Sequence, residues 1–105
     1  MPQFTVYRNP NPATQAAYPL LLDVQNDLIA DLGTRVVAPL CPAAVMKDKL
    51  IKTLIPVFEI EENAYAMLTP QLAGIQKTQL GAKVADLTQN RNDIIAALDL
   101  LVAGI

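Results

Sequence analysis

One stretch decides the fold class: Tyr18-Pro19-Leu20-Leu21-Leu22-Asp23-Val24. Its alternate residues place large apolar side chains on one face, at the period of two that is typical of a half-buried strand. The shorter run Phe4-Thr5-Val6-Tyr7 alternates in the same way. Between the two runs, residues 8–14 contain two prolines and two asparagines, which disfavour regular pairing and indicate an exposed loop. These segments predict an antiparallel pair of strands joined by a long loop.

The strand pattern continues in the middle of the chain. Residues 35–40 read Arg-Val-Val-Ala-Pro-Leu and predict another strand. Pro39 places this strand at a sheet edge, or lies near the strand's own end, because proline has no N–H to donate to a neighbour. Residues 42–50 lack alternation and predict a loop with a short helical turn.

A hairpin is predicted further on. Residues 57–60 and 64–69 are apolar runs separated by the short polar turn Glu61-Glu62-Asn63. Another apolar segment, residues 72–75, leads towards a turn at Gly81. Five or more short strands with irregular connections predict a small, strongly bent antiparallel sheet or partial barrel.

The period changes after Thr88. Apolar side chains then recur every three or four residues, which predicts a helix over about residues 89–102 with one apolar face. Thr88 is the predicted N-cap, because its hydroxyl can accept a hydrogen bond from a first-turn N–H. The chain is therefore expected to form one α+β domain over residues 1–105, mainly β, with a C-terminal helix.

The composition limits the class of protein. Hydrophobic residues make up 52% and charged residues 17% of the 105 residues, which suggests that another copy or a partner covers part of the surface. The net charge is −2 and the eight lysines and arginines are scattered, so direct nucleic-acid binding is not expected. Without a signal peptide or a long apolar run, and with Cys41 as the only cysteine, the protein is expected in the cytoplasm and not in a membrane. Cys41 is expected to be a small buried hydrophobe.

The residue types exclude most catalytic and metal sites. The chain has no histidine and no serine, so neither a Ser–His nor a Cys–His nucleophile can be assembled, and a zinc site lacks its usual ligands. We expect no catalytic residue, no metal and no cofactor. An Arg–Asp pair such as Arg35 with Asp23 could in principle cleave RNA, although its spacing does not single it out. Asp23 and Asp27 are otherwise expected to satisfy turn amides, and Glu61 and Glu62 to form a solvated charge cluster.

An ordered set of blocks over nearly the whole chain resembles the CcdB family of gyrase-poisoning toxins. In chain order the blocks are Gln3-Phe4-Thr5-Val6-Tyr7, Leu22-Asp23-Val24-Gln25-Asn26-Asp27-Leu28-Ile29, Arg35-Val36-Val37-Ala38-Pro39-Leu40, Tyr65-Ala66-Met67-Leu68-Thr69, Val84-Ala85-Asp86-Leu87, Asn92-Asp93-Ile94-Ile95 and the terminal Gly104-Ile105. Each block alone is weak, and their order and spacing make the set fairly specific.

The resemblance implies both a fold and a function. The implied fold is an SH3-like partial barrel of antiparallel strands with a small extra sheet and one C-terminal helix, assembled as a homodimer. The implied function is the toxin of a type II toxin–antitoxin module, such as those used in plasmid maintenance. Such a toxin binds the DNA gyrase A subunit, traps the gyrase–DNA cleavage complex and is neutralised by a small antitoxin. A two-fold toxin suits the two-fold gyrase cavity, because both copies of one patch engage equivalent surfaces.

The resemblance also implies site residues. The gyrase-binding set is Leu28, Ile29, Asp99, Val102, Ala103, Gly104 and Ile105. The antitoxin-binding set, in a loop that matches the family less closely, is Arg8, Asn9, Asn11 and Thr14. Some family members have a tryptophan at the position of Ala103, which stacks on a gyrase arginine, and an asparagine at the position of Asp99. These two departures affect the expected strength of gyrase poisoning.

Two alternatives stay open at this stage. One is a ribonuclease toxin on a similar barrel, as in the MazF and Kid proteins. The other is a degenerate toxin that binds its antitoxin but does not poison gyrase.

Overall fold

The strands predicted from the sequence form one curled antiparallel sheet. The computed structural model describes residues 2–29, 33–46 and 52–104. Within these residues the strands are β1 (Thr5–Arg8), β2 (Leu20–Asp23), β3 (Thr34–Pro42), β4 (Val57–Ile60), β5 (Asn63–Met67), β6 (Ala73–Gln76) and β7 (Lys83–Asp86). The α-helices are α1 (Ala43–Met46) and α2 (Arg91–Ala103). The strand order is β4-β5-β3-β2-β1-β7, and β6 also pairs with β3. The mainly β fold with a partial barrel and a C-terminal helix is confirmed.

The nine-residue strand β3 is the centre of the sheet. One edge pairs with β2, while the other pairs with β6 through its first half and with β5 through its last three residues. The β4–β5 hairpin is therefore joined to the main sheet through β3. The described strands thus form one continuous sheet, whereas the resemblance implies a small extra sheet. The predicted β1–β2 pair is also confirmed, with Val6 opposite Leu22.

The placement of Pro39 differs from the prediction. It lies in the interior of the central strand, opposite Leu21, and not at a sheet edge or a strand end. It is tolerated because, on the other side of β3, β5 pairs only from Leu40 onwards and β6 only as far as Val37. In this gap the Leu68 N–H donates to the Pro39 carbonyl, so no ladder partner requires the missing N–H.

Strand β1 begins one residue later than the alternation predicts. Phe4 is buried and has a φ of 69°, in the left-handed region that a bulky side chain rarely adopts. Its N–H donates to the Asp23 carbonyl, and its own carbonyl accepts from the Leu87 N–H. These two hydrogen bonds and the burial of the ring hold Phe4 in this conformation.

Strand β7 pairs with β1 at one end of the curled sheet. The approach to it depends on Gly81, whose N–H donates to the Arg8 carbonyl at 2.9 Å. A Cβ at Gly81 would lie 2.7 Å from that same carbonyl oxygen, so only glycine fits at this point. The periodicity of the sequence did not predict β7, because its two apolar residues, Val84 and Ala85, are adjacent and do not alternate with polar ones.

Helix α2 packs on the sheet over the main core. Its fully buried residues are Ile94 and Ala97, and Leu98 and Ile95 are partly buried against the same cluster. From the strands and the residues next to them this cluster takes the following buried residues: Phe4, Val6, Leu20, Leu22, Val24, Ala38, Leu40, Phe58, Ile60, Met67 and Leu87. The predicted alternation in β2 is thus confirmed, since Leu20 and Leu22 share this face. Tyr18 lies before the strand and packs on a smaller cluster around Cys41.

The start of the C-terminal helix differs from the prediction. Thr88 opens a 3-10 turn, Thr88–Asn90, and α2 begins only at Arg91. The Thr88 hydroxyl does not cap the helix; it donates to the carboxylate of Asp86, which also accepts the Thr88 N–H at 2.8 Å. These hydrogen bonds favour the ionised form and hold the pKa of Asp86 below its usual value. Asp86 therefore orders the turn before α2, whose N-cap residue is Asn90, with no side-chain cap hydrogen bond.

The predicted hairpin is confirmed, with β5 starting at Asn63. Its two turn residues, Glu61 and Glu62, have φ values of 52° and 69°. Two left-handed residues in succession are typical of a type I′ turn, which favours Asn-Gly. Glutamate is a poor choice for this conformation.

We therefore expect the double substitution Glu61→Asn/Glu62→Gly to raise the free energy of unfolding by about 1 kcal/mol. The loss of the surface contact between Glu61 and Arg8 offsets only a small part of this gain, because both side chains are more than half exposed. Urea denaturation measures the change. Glu61→Gln/Glu62→Gln is the matched control, since it removes both charges without favouring the turn. Equal stability of the two variants would contradict the backbone explanation.

Candidate functional site

The first half of the predicted gyrase site is an exposed turn after β2. Residues Asp27–Ile29 form a 3-10 turn in which Leu28 is 91% exposed. The Leu28 N–H donates to the Asn26 side-chain oxygen at 2.8 Å, which orders the backbone below the exposed side chain. Ile29 is the last residue of the turn. A leucine held almost entirely in water is a candidate contact for a partner.

The second half is the C-terminal end of α2. Val102 is 83% exposed, and Asp99, Ala103 and Gly104 are exposed as well. Gly104 ends the helix with a φ of 72°, and its N–H donates to the Leu100 carbonyl at 3.0 Å. This is the αL stop that glycine favours after a helix. Ile105 lies outside the described residues.

The two halves lie on different elements of the chain. Among the described residues, α2 packs against the Thr69–Gln71 turn and the Thr88–Asn90 turn. The predicted gyrase site is therefore two exposed patches, one apolar at Leu28 and one at the helix end around Val102.

Arg35 and Asp23 do pair, although their spacing did not single out this pair. The Arg35 Nε lies 2.7 Å from Asp23 Oδ2, and both side chains are 0% exposed. Asp23 Oδ1 also accepts the Gln25 N–H at 3.0 Å, which confirms that it satisfies a turn amide. A substrate in water cannot reach this buried pair, so its role is structural.

The loop predicted to bind the antitoxin is organised by one of its own asparagines. Asn9 is buried, and its amide donates to the Thr14 hydroxyl and the Tyr18 carbonyl, both at 2.9 Å. Its side-chain oxygen accepts the Asn11 N–H at 3.1 Å. Asn9 therefore shapes the loop from within, while Asn11 is exposed. Arg8 points elsewhere and contacts Glu61 at 3.3 Å.

A cleft of about 670 Å³ lies between this loop and the sheet. Its lining carries no charged side chain and is mostly apolar: Asn9, Pro10, Asn11, Pro12, Thr14, Tyr18, Leu21, Val37, Pro39, Gln71, Ala73, Ile75, Thr78 and Gln79. Three of the four predicted antitoxin residues line it. The sequence alone did not predict the sheet residues that line the cleft, because only the pairing of β2, β3 and β6 brings them under the loop. The one available signal was the Pro10 and Pro12 pair, which marked a stiff loop.

The cysteine and the carboxylates form no metal site in the part of the chain that is described. No group of three or more His, Cys, Asp or Glu side chains there is placed to hold an ion. Cys41 is buried, which confirms its expected role, and burial raises the pKa of its thiol. No helix in the described residues has the length and apolar character needed to cross a membrane.

A comparison with protein-family models identifies the family of this chain. Residues 3–104 match the family model described as CcdB protein. The chain belongs to the CcdB family. Membership identifies it as the toxin of a toxin–antitoxin module related to gyrase, with an antitoxin and gyrase as its general partners. In this CcdB family member, the Leu28 turn and the α2 end are exposed, and a cleft lies beside the loop of residues 8–14.

Proposed function

We propose that this CcdB family member binds the DNA gyrase A subunit as a homodimer and traps the gyrase–DNA cleavage complex. The observation that carries the proposal is the exposure of Leu28 and Val102, at 91% and 83%. Large apolar side chains that are exposed at an ordered turn or a helix end contribute favourable binding free energy when a partner buries them. Asp99, Ala103 and Gly104 surround Val102 and supply polar and backbone contacts.

We further propose that trapping involves no catalytic chemistry by the toxin itself. The chain has neither histidine nor serine, and the Arg–Asp pair with the shortest contact among the described residues, Arg35 with Asp23, is wholly buried. A mildly acidic chain with scattered lysines and arginines also favours a protein target over RNA or DNA alone.

The antitoxin is proposed to seat a segment in the cleft beside the loop of residues 8–14. Because the lining is uncharged and mostly apolar, the segment that enters should be apolar, with charged residues left outside. Asn11 and Thr14 lie at the loop side of the cleft and can form hydrogen bonds with it. Arg8, which is more than half exposed, can meet an acidic residue of the antitoxin in place of Glu61.

The experiment is a gyrase-dependent DNA cleavage assay on supercoiled plasmid. The purified protein is expected to accumulate cleaved DNA only when gyrase is present. Leu28→Asp and Val102→Asp should each reduce cleavage at least about tenfold, because each places a charge in an apolar contact. The control is Val45→Asp, which puts the same charge on a side chain that is 68% exposed outside the proposed patches.

Three outcomes contradict the proposal. RNA cleavage by the protein without gyrase would favour the ribonuclease alternative. Antitoxin binding without any trapped DNA would identify a degenerate toxin. Equal losses in the Val45 variant and the two patch variants would mean that the assay reports general surface charge and not a specific contact.

A further inference from the structure

The segment that carries Leu28 is tied to the protein interior by a buried ion pair. Arg35 reaches past Asp23, and its Nη2 donates to the Gln25 carbonyl at 3.2 Å. The same Nη2 lies 3.7 Å from Asp27 Oδ1. Asp23 meanwhile accepts the Gln25 N–H. The buried Asp23–Arg35 pair thus contacts three groups of this segment: the Gln25 N–H, the Gln25 carbonyl and the Asp27 carboxylate.

The same segment is held from two other sides. On the β3 side, the Val36 N–H donates to the Gln25 side-chain oxygen at 3.0 Å. On the N-terminal side, the Gln3 side-chain amide donates to the Val24 carbonyl at 3.0 Å, and the Gln3 N–H donates to Asp27 Oδ1 at 2.8 Å. Residues 24, 25 and 27 are therefore each anchored by groups distant in sequence.

The N-terminal anchor depends on an unusual backbone conformation. Phe4 adopts its left-handed φ of 69° directly after Gln3, and its N–H donates to the Asp23 carbonyl. Left-handed conformations of bulky residues are costly and are enriched where a functional segment must be held in place. Here the conformation of Phe4 accompanies the hydrogen bonds that Gln3 donates to Val24 and Asp27.

The anchored segment leads directly to Leu28, whose apolar side chain does not belong to the core formed by the described residues. Leu28 follows the anchored residues and is 91% exposed. A buried ion pair adds little stability compared with an apolar pair of similar volume, so stability alone does not account for it. A segment that is already ordered before binding loses little conformational entropy when the complex forms. Its affinity for the partner is therefore higher.

We propose that Asp23 and Arg35 are positioning residues that hold the Gln25–Asp27 backbone so that Leu28 is presented to gyrase in its bound conformation. This inference rests on the proposed gyrase contact of Leu28. It assigns a role in binding to a buried pair that touches no partner itself.

The test is the double substitution Asp23→Leu/Arg35→Met, which replaces the pair by apolar side chains that can fill the same volume. The variant is expected to fold and to keep its affinity for the antitoxin, with a lower melting temperature because the Gln25 N–H and carbonyl lose these partners. Amide hydrogen exchange at residues 25–28 should become faster, and affinity for the isolated gyrase A subunit should fall at least about tenfold. Gyrase binding at wild-type affinity together with faster exchange would overturn the proposal.

Leu28→Ala separates this inference from the proposed function. It is expected to weaken gyrase binding while leaving exchange at residues 25–27 slow. If Leu28→Ala binds gyrase normally, the proposed contact itself is wrong. If Leu28→Ala weakens binding and the double variant does not, the contact stands and the positioning role is wrong.

A surface variant covers the case in which the double variant does not fold. Gln3→Ala removes the hydrogen bond to the Val24 carbonyl from a half-buried position and leaves the ion pair in place. It is expected to weaken gyrase binding about threefold and to speed exchange at residues 24–28. Unchanged affinity with faster exchange would again overturn the positioning role.

Discussion

Removing Gly104 and Ile105 is expected to abolish gyrase trapping while dimerisation and antitoxin binding survive. Gly104 is exposed, and its N–H forms its bond to Leu100 at an open helix end, so the deletion should cost little stability. If the tail is a gyrase contact, the loss of a central binding residue weakens the complex by more than about 30-fold. The gyrase cleavage assay measures this, with the melting temperature and antitoxin binding measured on the same sample.

The substitution Ala103→Trp is the complementary change at the same helix end. Ala103 is exposed, so a larger ring has room in the free protein. It should tighten gyrase binding by up to about tenfold if an arginine of gyrase lies within reach of the ring. Ala103→Leu is the control, since it adds apolar surface without an aromatic face. A truncated protein that traps DNA at wild-type potency would show that the proposed tail contact is wrong.

Arg35→Ala is expected to lower the free energy of unfolding by about 3–5 kcal/mol, the usual cost of leaving one partner of a buried ion pair alone. The substitution strands the Asp23 carboxylate in the interior and removes the donor to the Gln25 carbonyl. Urea denaturation of the purified protein gives the change. A large loss of this kind is the expected signature of a pair that is 0% exposed.

Arg8→Ala is the matched control for that measurement. Arg8 also pairs with a carboxylate, Glu61, at 3.3 Å, but the two side chains are 58% and 55% exposed. Water screens this pair, so its loss should cost less than about 1 kcal/mol. Similar losses in the Arg35 and Arg8 variants would mean that the interior pair is not desolvated in solution.

The predicted site residues differ in their surroundings. Leu28 and the α2 end were expected to be available to a partner, and both are exposed. The predicted antitoxin contact Asn9 lines the cleft, and its hydrogen bonds also hold the loop together. A pattern of polar residues in a loop does not distinguish a side chain that faces a partner from one that faces the loop's own backbone.

Local patterns by themselves determined the first two strands, the β4–β5 hairpin and the C-terminal helix. A period of two, a polar turn and a spacing of three to four residues each depend on neighbours in the chain. Only the tertiary structure decided that Pro39 lies in the central strand, that β7 pairs with β1 and that Arg35 pairs with Asp23 beneath the Leu28 turn. Each of these depends on contacts between distant segments, and spacing along the chain does not specify which segments meet.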